Sequence, residues 1–163
     1  MRPLDPASSR FIERFGLLFE NEGVPRIAGR LTALLLVVES EFSLDEIAEI
    51  LGVSKASVST DARRMETKGF LVRTSHPGDR RDYYAIAPDG FRTMLDARID
   101  ALERTLSLCE EARRLPVKSA VVRSRLDEWT DFTSSMIESL STLLAAWDRR
   151  RPTRLPSRPR SLR

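Results

Sequence analysis

The side chains of this 163-residue chain that could do chemistry are hydroxyl, ammonium and guanidinium groups concentrated between residues 54 and 82. This segment carries seven basic and four acidic groups, whereas residues 1–148 as a whole carry 20 basic and 24 acidic groups. Hydroxyl and guanidinium groups donate hydrogen bonds to phosphates and base edges, so the segment predicts a nucleic-acid contact rather than a reaction. The high pI of about 9.5 is weaker support, because it comes from seven arginines after residue 148.

The residue types that catalyse most reactions are scarce. His76 is the single histidine and Cys109 the single cysteine, so one chain cannot build a His/Cys zinc site or an internal disulfide. A Ser-His-Asp triad would have to use His76, which lies in a polar, turn-like stretch where a base is poorly positioned. The sequence contains neither GxGxxG nor GxxxxGKS/T, the two fingerprints of nucleotide binding. We therefore expect a protein that is not an enzyme and that has no metal or other cofactor.

The distribution of apolar residues predicts the cellular setting. The longest apolar run, residues 33–38, has six residues, far fewer than the roughly 20 that span a bilayer. The first residues, MRPLDPASSR, lack a hydrophobic signal segment, and a single cysteine fits a reducing compartment. We therefore expect a cytoplasmic protein with no membrane partner.

Two short helices joined by a tight turn are predicted to position the basic segment. Residues 43–46, Ser-Leu-Asp-Glu, form a Ser-x-x-Glu capping box, and Gly52 ends the helix that this box starts. Ser54 caps a second helix two residues later, with Val58 and Ala62 on its inward face. Glycine allows a left-handed backbone in the turn, so the pattern predicts a helix-turn-helix.

The sequence after Gly69 changes from a helical to a β-prone pattern. Residues 70–75 and 83–87 are rich in aromatic and β-branched side chains, and residues 76–82 between them are rich in turn formers. This pattern predicts a β-hairpin with a charged tip. A helix-turn-helix followed by such a hairpin is a winged helix.

Apolar residues at helical spacing flank the predicted winged helix on both sides. Two N-terminal helices are predicted, the first capped by Asp5 and the second starting at Pro25. Two long helices are predicted over residues 88–115 and 117–148, with apolar residues every three and four positions. Helices this long exceed what a winged helix covers, so a second copy of the chain is the simplest partner. We interpret the aromatic residues of these helices as packing residues rather than as an effector pocket. The predicted dimer seam consists of Leu95, Ile99, Leu102, Leu106, Leu126, Trp129, Met136, Leu140, Leu143 and Trp147.

Together these elements predict a mainly α fold, a winged helix-turn-helix with a small β-hairpin wing and long helices that form a dimerisation body. Residues 5–40 are assigned to N-terminal helices of the dimer body and lobe support, and residues 41–88 to the winged DNA-binding region. Residues 89–148 are assigned to the C-terminal dimerisation helices. The Arg- and Pro-rich tail, residues 149–163, is predicted to be disordered because like charges repel and proline breaks regular structure.

Four stretches of the chain resemble the MarR family of bacterial transcription regulators, in particular its GbsR-like branch. They are residues 23–30 (GVPRIAGR), 43–69 with LGVSKASVS at their centre, 77–84 (PGDRRDYY) and 87–90 (APDG). The resemblance implies a homodimeric repressor that binds an inverted-repeat operator in double-stranded DNA. It also implies release by a small-molecule effector, whose chemistry the sequence does not indicate.

The predicted DNA contacts lie on the second helix of the pair and on the wing. The second helix of a helix-turn-helix enters the major groove with its N-terminal residues at base edges. By resemblance to the family's Asp-x-Arg wing motif, Arg81 would enter the minor groove and Asp79 would hold its guanidinium in place. The predicted DNA-binding residues, with Asp79 as wing support, are Ser54, Lys55, Ala56, Ser57, Ser59, Thr60, Arg63, Arg64, Arg80 and Arg81.

Two alternatives stay open at the level of sequence. Arg26 and Arg30, four residues apart on one helix face, fit either phosphate contact or an ion pair with an acidic partner helix. The winged helix as a whole fits either sequence-specific DNA binding or a protein–protein interaction module whose arginines only solvate its surface. Salt-dependent binding to duplex DNA would distinguish the DNA-binding interpretation of the winged helix from the protein-interaction interpretation.

Overall fold

The computed structural model describes residues 4–116 and 119–150. Within these ranges the chain forms the six helices and the β-hairpin that the sequence predicts, and the hairpin belongs to a three-stranded antiparallel sheet. The residues fall into two compact units that meet in the sequence at Gly90 and Phe91. The elements are α1 (Pro6–Asn21), α2 (Arg26–Val37), β1 (Phe42–Ser43), α3 (Leu44–Leu51), α4 (Lys55–Thr67), β2 (Leu71–Ser75), β3 (Asp82–Ile86), α5 (Gly90–Arg113) and α6 (Ala120–Arg150).

Side-chain caps start helices α1, α3 and α4 where the sequence predicts. The Asp5 carboxylate accepts hydrogen bonds from the backbone N–H groups of Ala7 and Ser8, at 2.9 and 3.0 Å. Ser43 and Glu46 form both bonds of the predicted capping box, because the N–H of each donates to the side chain of the other. These bonds satisfy N–H groups that have no partner within the helix, so they fix where each helix begins.

The turn between α3 and α4 has the predicted geometry. Gly52 has a φ of 61°, in the left-handed region that glycine adopts without a Cβ clash. Ser54 then caps α4 by accepting a hydrogen bond from the Ser57 N–H at 3.2 Å. The inward residues Val58 and Ala62 are fully buried in the core of the unit. The backbone of α4 is therefore fixed at its start by the turn and along its length by packing.

Helices α1 and α2 pack closely enough to need two glycines. A Cβ added at Gly16 would lie 2.5 Å from Cγ of Arg30, and one added at Gly29 would lie 2.8 Å from Cβ of Phe19. Both distances are shorter than a non-bonded contact allows. The close pair closes one side of the core, whose fully buried members include Leu31, Leu34, Ile47, Val58 and Tyr84.

The sheet contains a strand that the sequence analysis does not predict. The order is β1–β3–β2, so the two-residue β1 adds to the predicted hairpin, with Phe42 opposite Tyr84 and Ser43 opposite Tyr83. A two-residue strand is too short to show an alternating pattern. It ties α3 to the wing, because Ser43 is both its second residue and the cap of α3. The two hairpin strands lie within one residue of their predicted bounds.

The second unit is an antiparallel pair of long helices. Arg92, near the start of α5, pairs with Asp148 near the end of α6, and Arg113 at the end of α5 pairs with Asp127 near the start of α6. At 24 and 31 residues, the helices are about 36 and 46 Å long. No helix within the described ranges has the apolar length needed to cross a bilayer.

The end of α6 corrects one predicted boundary. The sequence predicts that a disordered tail begins at Arg149, but α6 continues through Arg150. Arginines in the last turn interact favourably with the negative end of the helix dipole, which favours extending the helix over these two residues. The rest of the predicted tail, residues 151–163, lies outside the described residues.

The side chains of α6 divide between a buried and an exposed face. Thr130, Thr133 and Leu144 are buried, whereas Trp129 and Trp147 are 56% and 44% exposed. The predicted seam is therefore not uniform. Within it Leu102 is buried, Trp129, Leu143 and Trp147 are exposed, and the residues between these extremes are Leu95, Ile99, Leu106, Leu126, Met136 and Leu140.

Candidate nucleic-acid interface

The first two turns of α4 present small polar side chains at the surface of the first unit. Small side chains let a helix backbone approach DNA closely, and their hydroxyls can donate to or accept from either base edges or phosphates. The structure brings the six predicted residues of this region together on one exposed end of α4. All of them are exposed or half-buried: Ser54, Lys55, Ala56, Ser57, Ser59 and Thr60.

Most polar groups at this end of α4 already have partners within the protein. The hydroxyls of Ser54 and Ser57 lie 2.8 Å apart, and Thr60 donates to the carbonyl four residues before it at 3.0 Å. The ammonium of Lys55 lies 2.8 Å from the carboxylate of Asp45 on α3. Both members of that pair are more than half exposed, so the ion pair is weak and can exchange for a phosphate.

The two arginines one turn further along α4 differ in their surroundings. Arg63 is exposed and forms no ion pair with any of the described residues, whereas Arg64 lies 3.8 Å from a carboxylate oxygen of Asp61. Asp61 is only 5% exposed, and its burial raises its pKa against the opposing effect of Arg64. The sequence analysis missed this buried carboxylate, because a charged residue beside two arginines suggests a solvated surface.

A tight turn shapes the tip of the wing, which we define as residues 76–82. The Asp79 N–H donates to the carbonyl of His76 at 3.0 Å, closing a four-residue turn. Pro77 precedes Gly78, whose φ of 82° lies in the left-handed region. This combination is typical of a type II β-turn, and it directs the chain from β2 toward β3 with Asp79 at its end.

The Asp79 carboxylate accepts hydrogen bonds from both the backbone N–H and the guanidinium of Arg81. Nε of Arg81 lies 3.1 Å from each carboxylate oxygen of Asp79, and Nη2 lies 2.7 Å from Oδ2. The Arg81 N–H also donates to Oδ1 at 2.9 Å. These bonds hold the pKa of Asp79 well below its usual range and raise the pKa of Arg81, so the pair is ionised at any physiological pH. Half of the Arg81 side chain remains exposed.

Three residues outside the predicted set contact this pair directly or through a neighbour. The Tyr83 hydroxyl donates to Oδ2 of Asp79 at 2.7 Å, and the Tyr83 ring packs against the edge of His76. Nε2 of His76 lies 2.5 Å from a carboxylate oxygen of Glu41, which precedes β1. Sequence reasoning found only the surface position of His76, because its link to Glu41 joins residues 35 positions apart.

The remaining arginines of residues 54–82 differ in how freely they can contact a phosphate. Arg80 is exposed and forms no ion pair with any of the described residues. Arg73 pairs with Glu66 and Asp82, both at 3.2 Å, and these contacts raise its pKa. The positive charge that can meet a phosphate is therefore smaller than the sequence count suggests.

Arg26 and Arg30 form ion pairs with one carboxylate of a neighbouring helix, that of Glu13 on α1. Their guanidinium groups lie 2.9 and 2.6 Å from the carboxylate of Glu13. Arg30 also donates to the carbonyl of Leu51 at 2.5 Å and its side chain is only 15% exposed, so it joins α1, α2 and the end of α3. Phosphate contact by either arginine stays a prediction, with Arg26 the more accessible of the two.

The structure offers no metal-ligand cluster among residues 4–116 and 119–150, since no three His, Cys, Asp or Glu side chains there are suitably grouped. Cys109 is a half-buried free thiol on α5. The predicted polar and charged contact groups lie at the start of α4 and at the wing tip.

Comparison with known proteins gives consistent results. The MarR family model matches residues 22–82. The chain is 33% identical over 148 residues to the HTH-type transcriptional regulator MmpR5 of Mycobacterium tuberculosis, a match that covers 90% of each chain. It is 24% identical over 92 residues to the HTH-type transcriptional repressor OpcR of Bacillus subtilis, covering 56% of this chain and 50% of that protein. A crystal structure of a transcriptional regulator aligns with a TM-score of 0.79 and 32% identity, covering 89% of this chain and 100% of the other.

Proposed function

The chain belongs to the MarR family of DNA-binding transcription regulators, and we propose that it acts as a homodimeric repressor on an inverted-repeat operator. The geometry of the wing tip supports the proposed DNA contact most directly. There Asp79 is hydrogen-bonded to Arg81 while half of the arginine side chain stays exposed. An arginine held in this way loses little conformational entropy when it enters a narrow minor groove, where the negative potential is concentrated.

We assign different tasks to the two contact surfaces. The start of α4 enters the major groove, where Ser57, Ser59 and their neighbours meet base edges. Arg81 enters the adjacent minor groove. Arg63 and Arg80, which are exposed and unpaired within the described ranges, contact phosphates and contribute most of the salt dependence.

The proposed dimer is supported by large apolar side chains that each unit leaves exposed. On α6, Trp129 and Phe132 are 56% and 60% exposed, and on α1 Leu18 is 52% exposed. Exposed apolar groups of this size mark interaction surfaces, and a second copy of the chain would cover them. In this proposal helices from both ends of the chain form the dimer body. Two-fold symmetry then requires half-sites about 10 base pairs apart, centre to centre.

The proposal also includes a repressor role and a response to a small-molecule effector. OpcR, one of the relatives, is a repressor, and a regulator that blocks transcription needs only tight binding at its operator. Membership of the GbsR-like branch, a cytoplasmic location, the lack of catalytic activity and release by a small molecule belong to the same proposal. They are supported by the likeness to transcription regulators.

Selection of duplexes from a random-sequence pool tests the proposal. The wild-type protein should enrich an inverted repeat, and fluorescence anisotropy at fixed salt should show tight binding to the enriched duplex. Light scattering should give the mass of two chains. If no duplex binds in a salt-dependent way, the proposal is wrong and the winged helix is a protein interaction module instead.

A further inference from the structure

Tyr83 is buried on the side of the sheet that does not face the core. Successive residues of a strand point to opposite faces, so Tyr83 and Tyr84 lie on different sides of β3. Tyr84 is 2% exposed and belongs to the hydrophobic core. Tyr83 is 9% exposed without belonging to that core. Its hydroxyl and ring instead contact polar side chains of the wing tip, namely Asp79, Arg81 and His76.

The Tyr83 side chain contacts both members of the Asp79–Arg81 pair. Its hydroxyl donates to Oδ2 of Asp79 at 2.7 Å, the same oxygen that accepts from Nη2 of Arg81 at 2.7 Å. The guanidinium carbon of Arg81 lies 5.3 Å from the centre of the Tyr83 ring, within the range of a cation–π contact. The arginine is thus restrained by a carboxylate and an aromatic ring that are themselves hydrogen-bonded.

The tyrosine ring is in turn contacted by His76 of the wing tip, which is linked through Glu41 to Thr74 of β2. The His76 ring meets it edge-on, with centroids 4.7 Å apart and planes at 63°. Glu41 lies 2.5 Å from Nε2 of His76 and accepts from the Thr74 hydroxyl at 2.5 Å. Thr74 is also the residue opposite Tyr83 across the hairpin. These contacts connect the wing tip to the body of the sheet through Tyr83.

We propose that Tyr83 is a positioning residue for DNA binding, which fixes the orientation of Arg81 toward the minor groove through Asp79. The inference rests on the proposed contact of Arg81 with DNA. Without the hydroxyl, Asp79 keeps its bonds to the guanidinium and the backbone N–H of Arg81 but loses the hydrogen bond that joins it to β3, so the orientation of the pair is less restrained. The pKa of Tyr83 is raised by its bond to Asp79, which keeps the hydroxyl protonated as a donor.

A matched pair of substitutions tests the inference. Tyr83→Phe removes the hydroxyl that donates to Asp79, and Tyr84→Phe removes the same atom one residue later on the other face of the sheet. We expect Tyr83→Phe to weaken binding to the selected operator by about threefold to tenfold, the effect of one net hydrogen bond. Tyr84→Phe should change it less than twofold. In an Arg81→Ala background, Tyr83→Phe should have no further effect, because the group that it positions is gone.

The outcomes separate this inference from the proposed function. If Arg81→Ala weakens binding and Tyr83→Phe does not, the positioning role is wrong and the wing contact stands. A loss with Tyr83→Phe that persists in the Arg81→Ala background also contradicts it. If Arg81→Ala itself has no effect, the wing contact is wrong, and the Nε–H resonance of Arg81 in the free protein decides about positioning. Positioning predicts faster solvent exchange of that proton in Tyr83→Phe than in Tyr84→Phe, and equal exchange contradicts it.

Discussion

The start of α4 and the tip of the wing differ in what the fold holds in place. At the start of α4 the backbone is rigid, because Ser54 caps it and Val58 anchors it in the core, while the exposed side chains make weak local bonds. At the wing tip the backbone is a hairpin turn, and the side chain of Arg81 is held by several bonds to Asp79.

This difference matches the two tasks that we assign. A surface that reads base edges benefits from a fixed helix whose small side chains can change partners as they meet DNA. A single arginine that enters a narrow groove benefits from being held in one orientation beforehand. Each prediction below alters one side of this comparison, beginning with the largest expected effect.

Ser57→Glu should separate the stability of α4 from its contact with DNA. Ser57 stands three residues after the Ser54 cap, so glutamate there would copy the capping box that Ser43 and Glu46 already form. The fold should be at least as stable, yet a carboxylate and added bulk would face the DNA. We expect operator affinity to fall by about 100-fold or more, measured by anisotropy, because several direct contacts with DNA would be blocked.

Ser57→Gln is the neutral control for the same position, since glutamine also completes a capping box. It should weaken operator binding less than Ser57→Glu does, and the gap between the two should narrow as salt rises. Unchanged binding by Ser57→Glu would remove the start of α4 from the interface.

Arg81→Ala should remove the groove contact of the wing, with operator affinity about tenfold lower. Arg81→Lys should recover only part of this affinity, because an ammonium cannot reproduce the planar two-nitrogen contact with Asp79. Titrations at one fixed salt concentration, with light scattering to confirm an unchanged oligomeric state, provide the measurement. Full recovery by lysine would show that charge matters at the wing and that orientation does not.

Arg63→Ala, also on α4, should have a smaller effect on DNA binding than the substitutions at Ser57 and Arg81. It should lower the affinity for all duplexes alike by about threefold to fivefold. The slope of log affinity against log salt should become shallower by about 0.9 for each phosphate that is no longer neutralised. Arg64→Ala is the control, because Arg64 lies near the Asp61 carboxylate and contributes less free charge. Equal slopes for both variants and the wild type would exclude a phosphate contact by Arg63.

The smallest effect concerns stability rather than binding. Burial raises the pKa of Asp61, so its ionised form destabilises the fold at neutral pH. Asp61→Asn should therefore raise the melting temperature by about 2–4 °C at pH 7. The difference from the wild type should shrink as pH falls through the raised pKa of Asp61 and vanish below its ordinary value of 3.8. A variant that is less stable at pH 7 would mean that the carboxylate has a structural role.

The features that could be predicted from the sequence are mostly those whose contacting residues lie close together along the chain. The Ser43–Glu46 box, the Gly52 turn and the Ser54 cap depend on residues within a few positions of each other, and the structure has all three. The helical pattern of the fold follows from the same local signals. The Asp79–Arg81 pair spans two residues and is expected from the family's wing motif.

The features that sequence reasoning missed depend on contacts between distant residues. Strand β1 exists because Phe42 meets Tyr84, and the Glu41–His76 contact joins different elements. Tyr83 and Tyr84 are adjacent in the sequence, but only the folded wing shows that Tyr83 contacts Asp79, Arg81 and His76. A heptad pattern cannot tell a face that packs within the chain from one left exposed, so it placed the buried Leu102 of α5 and the exposed Trp129 of α6 in one predicted seam.

Dimethyl sulfate methylates guanine N7 in the major groove and adenine N3 in the minor groove, so methylation interference on the selected operator distinguishes the two contact surfaces. In each half-site we expect interference at guanine N7 beneath α4 and at adenine N3 beneath the wing. With Arg81→Ala the adenine N3 signal should disappear while the guanine N7 signal remains. Loss of both signals together, or an adenine N3 signal that survives the substitution, would contradict the division of tasks between α4 and the wing.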